Sequence, residues 1–238
     1  MEKMGFEAER LFLLPNEETF ILAMEDMLPN EVPIKQTNVF SQTSIYMDTP
    51  NYALCRNNSS LVFRPAPENR VGAILKHGFC SLITERLLVR AEMAALTEAV
   101  TMNLSEEMSQ RVCSLIGDEM EKFDPVLVVR QQRHHRITID LNPIVHFSFD
   151  QVTYTNPISK ENCRFFMLEL EVTNTDLSAL KGSQINQFSN YYRDRYRARP
   201  IYPSKYLYGL LNIGSNKDQL QRDGVGEGSP ILAVGNVI

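Results

Sequence analysis

The stretch FFMLELEVTN, Phe165–Asn174, decides how this chain is read. Its centre, Leu168-Glu169-Leu170-Glu171-Val172, alternates apolar bulk and charge with a period of two. In an extended strand successive side chains point to opposite faces. Glu169 and Glu171 therefore share one face, and Leu168, Leu170 and Val172 share the other. Such alternation is ordinary in a half-solvated antiparallel strand. The remaining strands must show what the acidic face is for.

The same alternation recurs along the chain. In FEAERLFLL (Phe6–Leu14), Glu7 and Glu9 share a face. In VRAEM, Arg90 and Glu92 do so, and in AILK, Lys76 lies opposite Leu75. In HFSFD, His146, Ser148 and Asp150 oppose Phe147 and Phe149. In RQQRHHRITID, strict parity groups Arg130, Gln132, His134, Arg136, Thr138 and Asp140 against Ile137 and Ile139, with Arg133 interrupting. An apolar face needs covering, and helices can supply the cover. The charged faces either meet solvent or, if the sheet closes, point into a shared channel. The pattern alone leaves both open. A channel of mixed sign suits a polyanion with divalent cations. Carboxylates hold hard ions such as Mg²⁺ or Mn²⁺, while Arg and Lys hold phosphate oxygens.

Composition narrows the class. The 238 residues are 43% hydrophobic and 22% charged, which is enough apolar material for a sizeable core. A net charge of −5 gives no reason to expect a nucleic-acid polymer or a membrane surface as partner. No apolar run is long enough to span a bilayer, and MEKMGFEAER lacks the apolar core of a signal peptide. Four scattered cysteines read as reduced thiols. A cytoplasmic protein is expected. The adjacent His134 and His135 face apart in a strand and are not a chelating pair. The basic aromatic stretch YYRDRYRARP reads as a surface or channel-mouth helix.

The strands are interleaved with helical segments. NEETFILAMEDML is capped by Asn16 and stopped by Pro29. Residues from Ala94 to about Phe123 read as two helices, the second capped at Ser105. DLSALKGSQINQFSNYYRDRYRARP is mostly helical, and a short helix begins near Ser204. The inventory predicts a largely antiparallel α+β domain over 1–213. A polar, Gly-rich, flexible tail is expected over 214–238.

In chain order, several motifs together resemble the CYTH/VTC superfamily, the triphosphate tunnel metalloenzymes. FEAERLFLL resembles the ExExK strand of that family, and SIYMDTPNYALCRNNSSLVFR its YFDTP…LRxR stretch. AILKHG, VRAEM, PVLVVRQQRHHRITID, FSFD and LELEV resemble its later strands. PSKYLYGLL resembles the SKY…G close of VTC-type members. The resemblance implies a closed antiparallel β-barrel with helices packed outside, acting as a metal-dependent phosphohydrolase on an inorganic or organic linear triphosphate. A VTC-type polyphosphate polymerase and a non-catalytic polyanion-binding module are the alternatives.

The resemblance also implies roles. Glu7, Glu9, Glu169 and Glu171 would hold Mg²⁺ or Mn²⁺. Arg64, Lys76, Arg90, Arg130, Arg133, Arg136 and Lys205 would line the triphosphate or polyphosphate. Of the three arginines in one strand, parity joins Arg130 to Arg136, the family pattern joins Arg130 to Arg133, and Arg130 is common to both. Glu92, Asp150 and Lys76 would serve the phosphoryl transfer. Two positions depart from the family pattern. Leu11 stands where the lysine of ExExK belongs, and Val62 stands at the first arginine of LRxR. Two phosphate contacts are expected to be missing, and Val62→Arg is expected to restore one.

Overall fold

Alternating strands bury one face each, and the helices arrange themselves to cover it. The computed structural model describes residues 3–26, 32–66, 70–82, 87–98, 104–117, 123–139, 141, 144–173, 184–201, 204–215 and 217–222. The strands described are β1 (Lys3–Leu14), β2 (Ile34–Asp48), β3 (Ser59–Ala66), β4 (Arg70–Leu82), β5 (Leu87–Glu98), β6 (Asp124–Thr138), β7 (His146–Thr155), β8 (Asn162–Thr173) and β9 (Arg199–Ile201). They form one sheet in the order β5-β4-β3-β2-β6-β7-β8-β1-β9, and β1 also pairs with β5. All these pairings are antiparallel. One edge of β1 carries β8. Its other edge is shared by β5, against Lys3–Glu9, and β9, against Leu11–Leu13.

The helices are α1 (Glu17–Glu25), α2 (Ala53–Arg56), α3 (Glu106–Ile116), α4 (Gln184–Tyr196), α5 (Lys205–Ile213) and α6 (Lys217–Arg222). The Asn16 side chain accepts from the Thr19 N–H at 2.8 Å, and Glu17 and Glu18 complement the dipole of the first turn of α1. Ser105 caps α3 in the same way, and Ser204 caps α5. Ala94–Glu98, expected as helix, continues β5 instead. The free edge of β4 accounts for this: it pairs with β5 as far as Arg70↔Glu98, and pairing overrides the helix preference of an Ala-rich segment. None of the helices described is long and apolar enough to cross a membrane.

Two apolar clusters lie on the outer face. Phe12, Phe147, Phe149, Leu168 and Leu170 pack with Phe20 of α1 and with Phe188 and Tyr192 of α4. Leu61, Phe63, Leu75 and Met93 pack with Leu54 of α2 and with Met108 and Val112 of α3. Full burial of each such side chain contributes about 1.5–3 kcal/mol. A third cluster has no counterpart in the sequence reading. Leu11, Val62, Leu127, Val129, Val152, Tyr154 and Met167 lie on the same strand faces as the charged residues. They pack against Tyr206, Leu207, Leu210 and Ile213 of α5. The charged face is therefore polar along only part of its length, and α5 plugs the rest. Leu220 of α6 is fully buried in this cluster, so packed structure continues beyond position 213. Residues 223–238 of the expected tail lie outside the described residues.

Candidate functional site

Arg133, Asp150, Glu169 and Lys205 form a closed ring of alternating charge. β6 and β7 pair Arg133 with Asp150 directly, and the guanidinium grips both carboxylate oxygens at 2.8 Å. Its Nη2 also reaches Glu169 at 3.1 Å. Lys205, at the first turn of α5, donates to Asp150 at 2.6 Å and approaches Glu169 at 2.7 Å. Asp150 is fully buried, and Glu169 and Lys205 nearly so. Burial alone would push the Glu169 carboxyl up, but Lys205 and Arg133 overcome this and hold it well below the usual carboxylate range. Burial works against the charges of Arg133 and Lys205 in turn. The two acids more than offset it and raise both pKa values. Two acids and two bases thus neutralise one another within the buried ring.

Lys76 and Glu92 face each other across β4 and β5, 3.4 Å apart. Lys76 is also close enough to depress the Glu169 carboxyl further. Six of the residues singled out in the sequence therefore meet in one place: Lys76, Glu92, Arg133, Asp150, Glu169 and Lys205. Arg64 lies on the same inner face, and its Nε donates to Ser44 at 3.2 Å. Glu9 is buried and pairs in register with Glu171. The side chains of Glu7 and Arg90 lie outside the described residues, although their backbones pair with each other.

Arg130 and Arg136 turn away from this group. The register of β6 with β7 is continuous from Val128 to Ile137, so no bulge brings Arg130 to the side of Arg133. Arg130 is exposed. Arg136 lies over the Phe149 ring on the outer face and donates to the Asp26 carbonyl at 3.2 Å. The inner face of β6 carries Leu127, Val129, Gln131, Arg133 and His135. Arg133 looked like an interruption in the sequence because the even positions, not the odd ones, point outward. The basic aromatic stretch lies on α4 and β9. There Tyr191, Tyr196 and Arg195 all converge on Asp26, so much of its charge is engaged locally.

His135 finds a partner that the sequence reading did not. Its ring stacks on His146 of β7, with centroids 5.3 Å apart and Nε2 3.2 Å from Nδ1 of His146. Burial lowers both imidazole pKa values, so the neutral forms are favoured.

Asp48, within the motif MDTP, has a structural task. Its carboxylate accepts from the backbone N–H groups of Thr49, Leu54 and Cys55 at 2.8–3.0 Å and from the Tyr206 hydroxyl at 2.8 Å. Tyr206 in turn stacks on Tyr46 at 4.8 Å. This clamp seats α5 and so delivers Lys205, one residue before Tyr206, to the ring. Gly209 permits the close approach, because a Cβ there would meet Leu127 and Tyr154 side-chain atoms at 2.6 Å.

Residues 5–194 match the CYTH domain. The chain belongs to the CYTH family. Two solved structures share its fold. One is a candidate adenylate cyclase from Bacillus halodurans, 13% identical, covering 86% of this chain and 97% of its own, with a TM-score of 0.57. The other is HpAC1 from Hippeastrum, a candidate adenylyl cyclase with a dominant triphosphatase activity. It is 17% identical and covers 87% of this chain and 96% of its own, with a TM-score of 0.56. No curated protein matches the sequence.

A CYTH chain raises the question of a divalent ion, and the donor set here fits one in a limited way. No group of three or more His, Cys, Asp or Glu side chains among the described residues is arranged as a metal cage. Glu169 is committed to Arg133 and Lys205. Glu9 and Glu171 face each other in register across β1 and β8, and Glu171 also acts electrostatically on Arg133. Two carboxylates suit Mg²⁺ or Mn²⁺, which take few protein ligands and fill their coordination with phosphate oxygens and water.

Proposed function

We propose that this CYTH protein hydrolyses a linear triphosphate in a channel on the inner face of the sheet. One observation carries the reading: Arg133, Lys205 and Lys76 meet on one side of a sheet, each held by a carboxylate. Pairing of β1 with β5 supports a closed wall around them. The triphosphatase activity of HpAC1, a structural relative, supports the reaction class. Inorganic triphosphate is the minimal substrate. Mg²⁺ or Mn²⁺ at Glu9 and Glu171, with Glu7 and Glu169 nearby in sequence and register, would polarise the phosphoryl group when bound.

The chain's own groups divide the remaining work. Arg133 offers a planar fork to phosphate oxygens, and Lys205, Lys76 and Arg64 add positive charge along the chain. Asp150 has both oxygens engaged by Arg133 and Lys205, so it positions these bases. Glu92 keeps 29% of its side-chain surface exposed and faces the Lys76 ammonium at 3.4 Å. It is the acid placed to accept the proton of an attacking water. The water oxygen bonds to the terminal phosphorus, the bond to the bridging oxygen breaks, and the basic groups stabilise charge on the departing diphosphate.

A second reading, a polyanion-binding module without turnover, is favoured by the ring itself, whose charges already balance inside the chain. Lys205, from the SKY motif, keeps a VTC-type polyphosphate polymerase in view as well. Phosphate release from triphosphate, ATP, thiamine triphosphate and long polyphosphate, with Mg²⁺, with Mn²⁺ and without metal, separates all three. Metal-dependent release from triphosphate supports the hydrolase. Chain growth from ATP selects the polymerase, and binding without release selects the module.

A further inference from the structure

α1 and α4 cover the outer face of the sheet, and a cleft of about 640 Å³ opens between α1 and the turn from α4 into β9. Pro15, Leu22 and Glu25 line it from α1 and its lead-in, and Arg195 and Arg197 line it from the end of α4. The two arginines are held in different ways. The Arg195 Nε lies 3.0 Å from the Asp26 carboxylate and 3.1 Å from the Tyr196 hydroxyl. Its guanidinium also lies 5.7 Å from the centres of the Tyr191 and Tyr196 rings. Both polar contacts use Nε, so the two Nη groups keep their donors, with no hydrogen bond among the described residues. Asp26 also accepts from the Tyr191 and Tyr196 hydroxyls, so its charge is spent on holding this end of α4.

Arg197 stands just past α4, where the Ala198 N–H donates to the Tyr192 carbonyl at 3.3 Å and closes the helix. Its backbone is left-handed, with a φ of 52°. Glycine is the usual residue at such a position, because a Cβ is disfavoured there. Here an arginine fills it, and its exposed guanidinium has no hydrogen bond or ion pair among the described residues. A strained backbone that presents a charged side chain to a cleft points to a function for that side chain.

We propose that this cleft binds a small monocarboxylate with an apolar body. The carboxylate takes the free donors of Arg195 and the charge of Arg197. The apolar body covers Pro15 and Leu22, the latter 54% exposed. The cleft is of the size that holds small ligands. Glu25 adds a negative charge to the wall, which disfavours a polyanion such as triphosphate. The site is thus separate from the inner face in place and in chemistry, and it does not rest on the triphosphate reading.

Octanoate, kept below its micellar concentration, is the probe. It is titrated into protein with isotope-labelled leucine methyls, and the Leu22 signals, assigned by their loss in Leu22→Met, are followed by NMR. The expected result is a saturable shift of these signals, with a Kd raised about tenfold in Arg197→Gly. Glycine suits the left-handed turn, so this variant should keep or raise the melting temperature while it loses affinity. Damage to the fold would lower both. Octanamide keeps the chain without the charge and should bind about tenfold more weakly than octanoate. Absence of a saturable Leu22 shift, equal affinity for octanamide, or an unchanged Kd in Arg197→Gly each overturns the proposal. Displacement of octanoate by triphosphate overturns it as well, since the cleft would then belong to the polyanion.

Discussion

Lys205 bridges two carboxylates that belong to different strands, meeting Asp150 on β7 at 2.6 Å and Glu169 on β8 at 2.7 Å. It comes from α5, which packs on the inner face of the sheet, so the ring closes only once α5 is seated. Lys205→Met keeps most of the bulk and removes the charge. Two buried acids then lose their shared ammonium and keep Arg133 as their hydrogen-bonded base. Breaking one partner out of a buried ion network costs about 3–5 kcal/mol. Urea unfolding should show a loss of that order, and triphosphate turnover should fall with it.

Glu169→Gln tests the same ring from the acidic side. Had Glu169 simply repelled Glu171, its removal would stabilise the protein. Because it neutralises Arg133 and Lys205, we expect Glu169→Gln to destabilise instead. The pH dependence has a definite sign. The folded-state pKa of Glu169 is depressed, so its stabilising contribution is complete above the unfolded pKa of about 4.3. It is lost as pH falls from there toward the folded value. Acid unfolding curves of the wild type and Glu169→Gln should draw together progressively as pH falls below about 4. Parallel curves across the acid range would contradict this account.

The arginine assignment separates cleanly. Arg133→Gln should weaken triphosphate binding by at least about tenfold, because a charge-assisted contact is worth about 1.5–3 kcal/mol. Arg130→Gln should leave affinity near the wild-type value, since Arg130 lies on the outer face. Titration calorimetry of both variants checks the orientation of β6.

For the divalent ion, Glu9→Gln and Glu171→Gln each leave one acid of the opposed pair. Mn²⁺ affinity should fall in both, measured calorimetrically without substrate. Unchanged affinity in both variants would remove this pair as the ion's seat.

Val62→Arg and Leu11→Lys would place a charge in the cluster around α5, where Val62 has no exposed surface and Leu11 keeps 3%. Burying an unpaired charge is strongly unfavourable. We expect a lower melting temperature for each and no gain in triphosphate affinity. Gly209→Ala acts on the same contact by overpacking, at about 1–3 kcal/mol. Differential scanning calorimetry ranks the three.

Period-two alternation in LELEV, FEAERLFLL and HFSFD was enough to fix which residues lie on each face of a strand, because side-chain direction in a strand is a local property. The caps at Asn16, Ser105 and Ser204 were equally legible, since a cap is a contact across three residues. Which face turns inward in β6 was not local. It depends on the register with β2 and β7, and this puts Arg133 inside and Arg130 outside. The purpose of Leu11 and Val62 was likewise invisible in the chain. They read as lost phosphate ligands until α5, about 140 to 200 residues away in sequence, was seen packed against them. A sequence records the chemistry of each position, while the dielectric around that position is set by whatever the fold brings alongside it. That is why the charged residues could be named in advance, and why only the tertiary structure decided which of them form a ring and where the charged face gives way to the apolar cluster around α5.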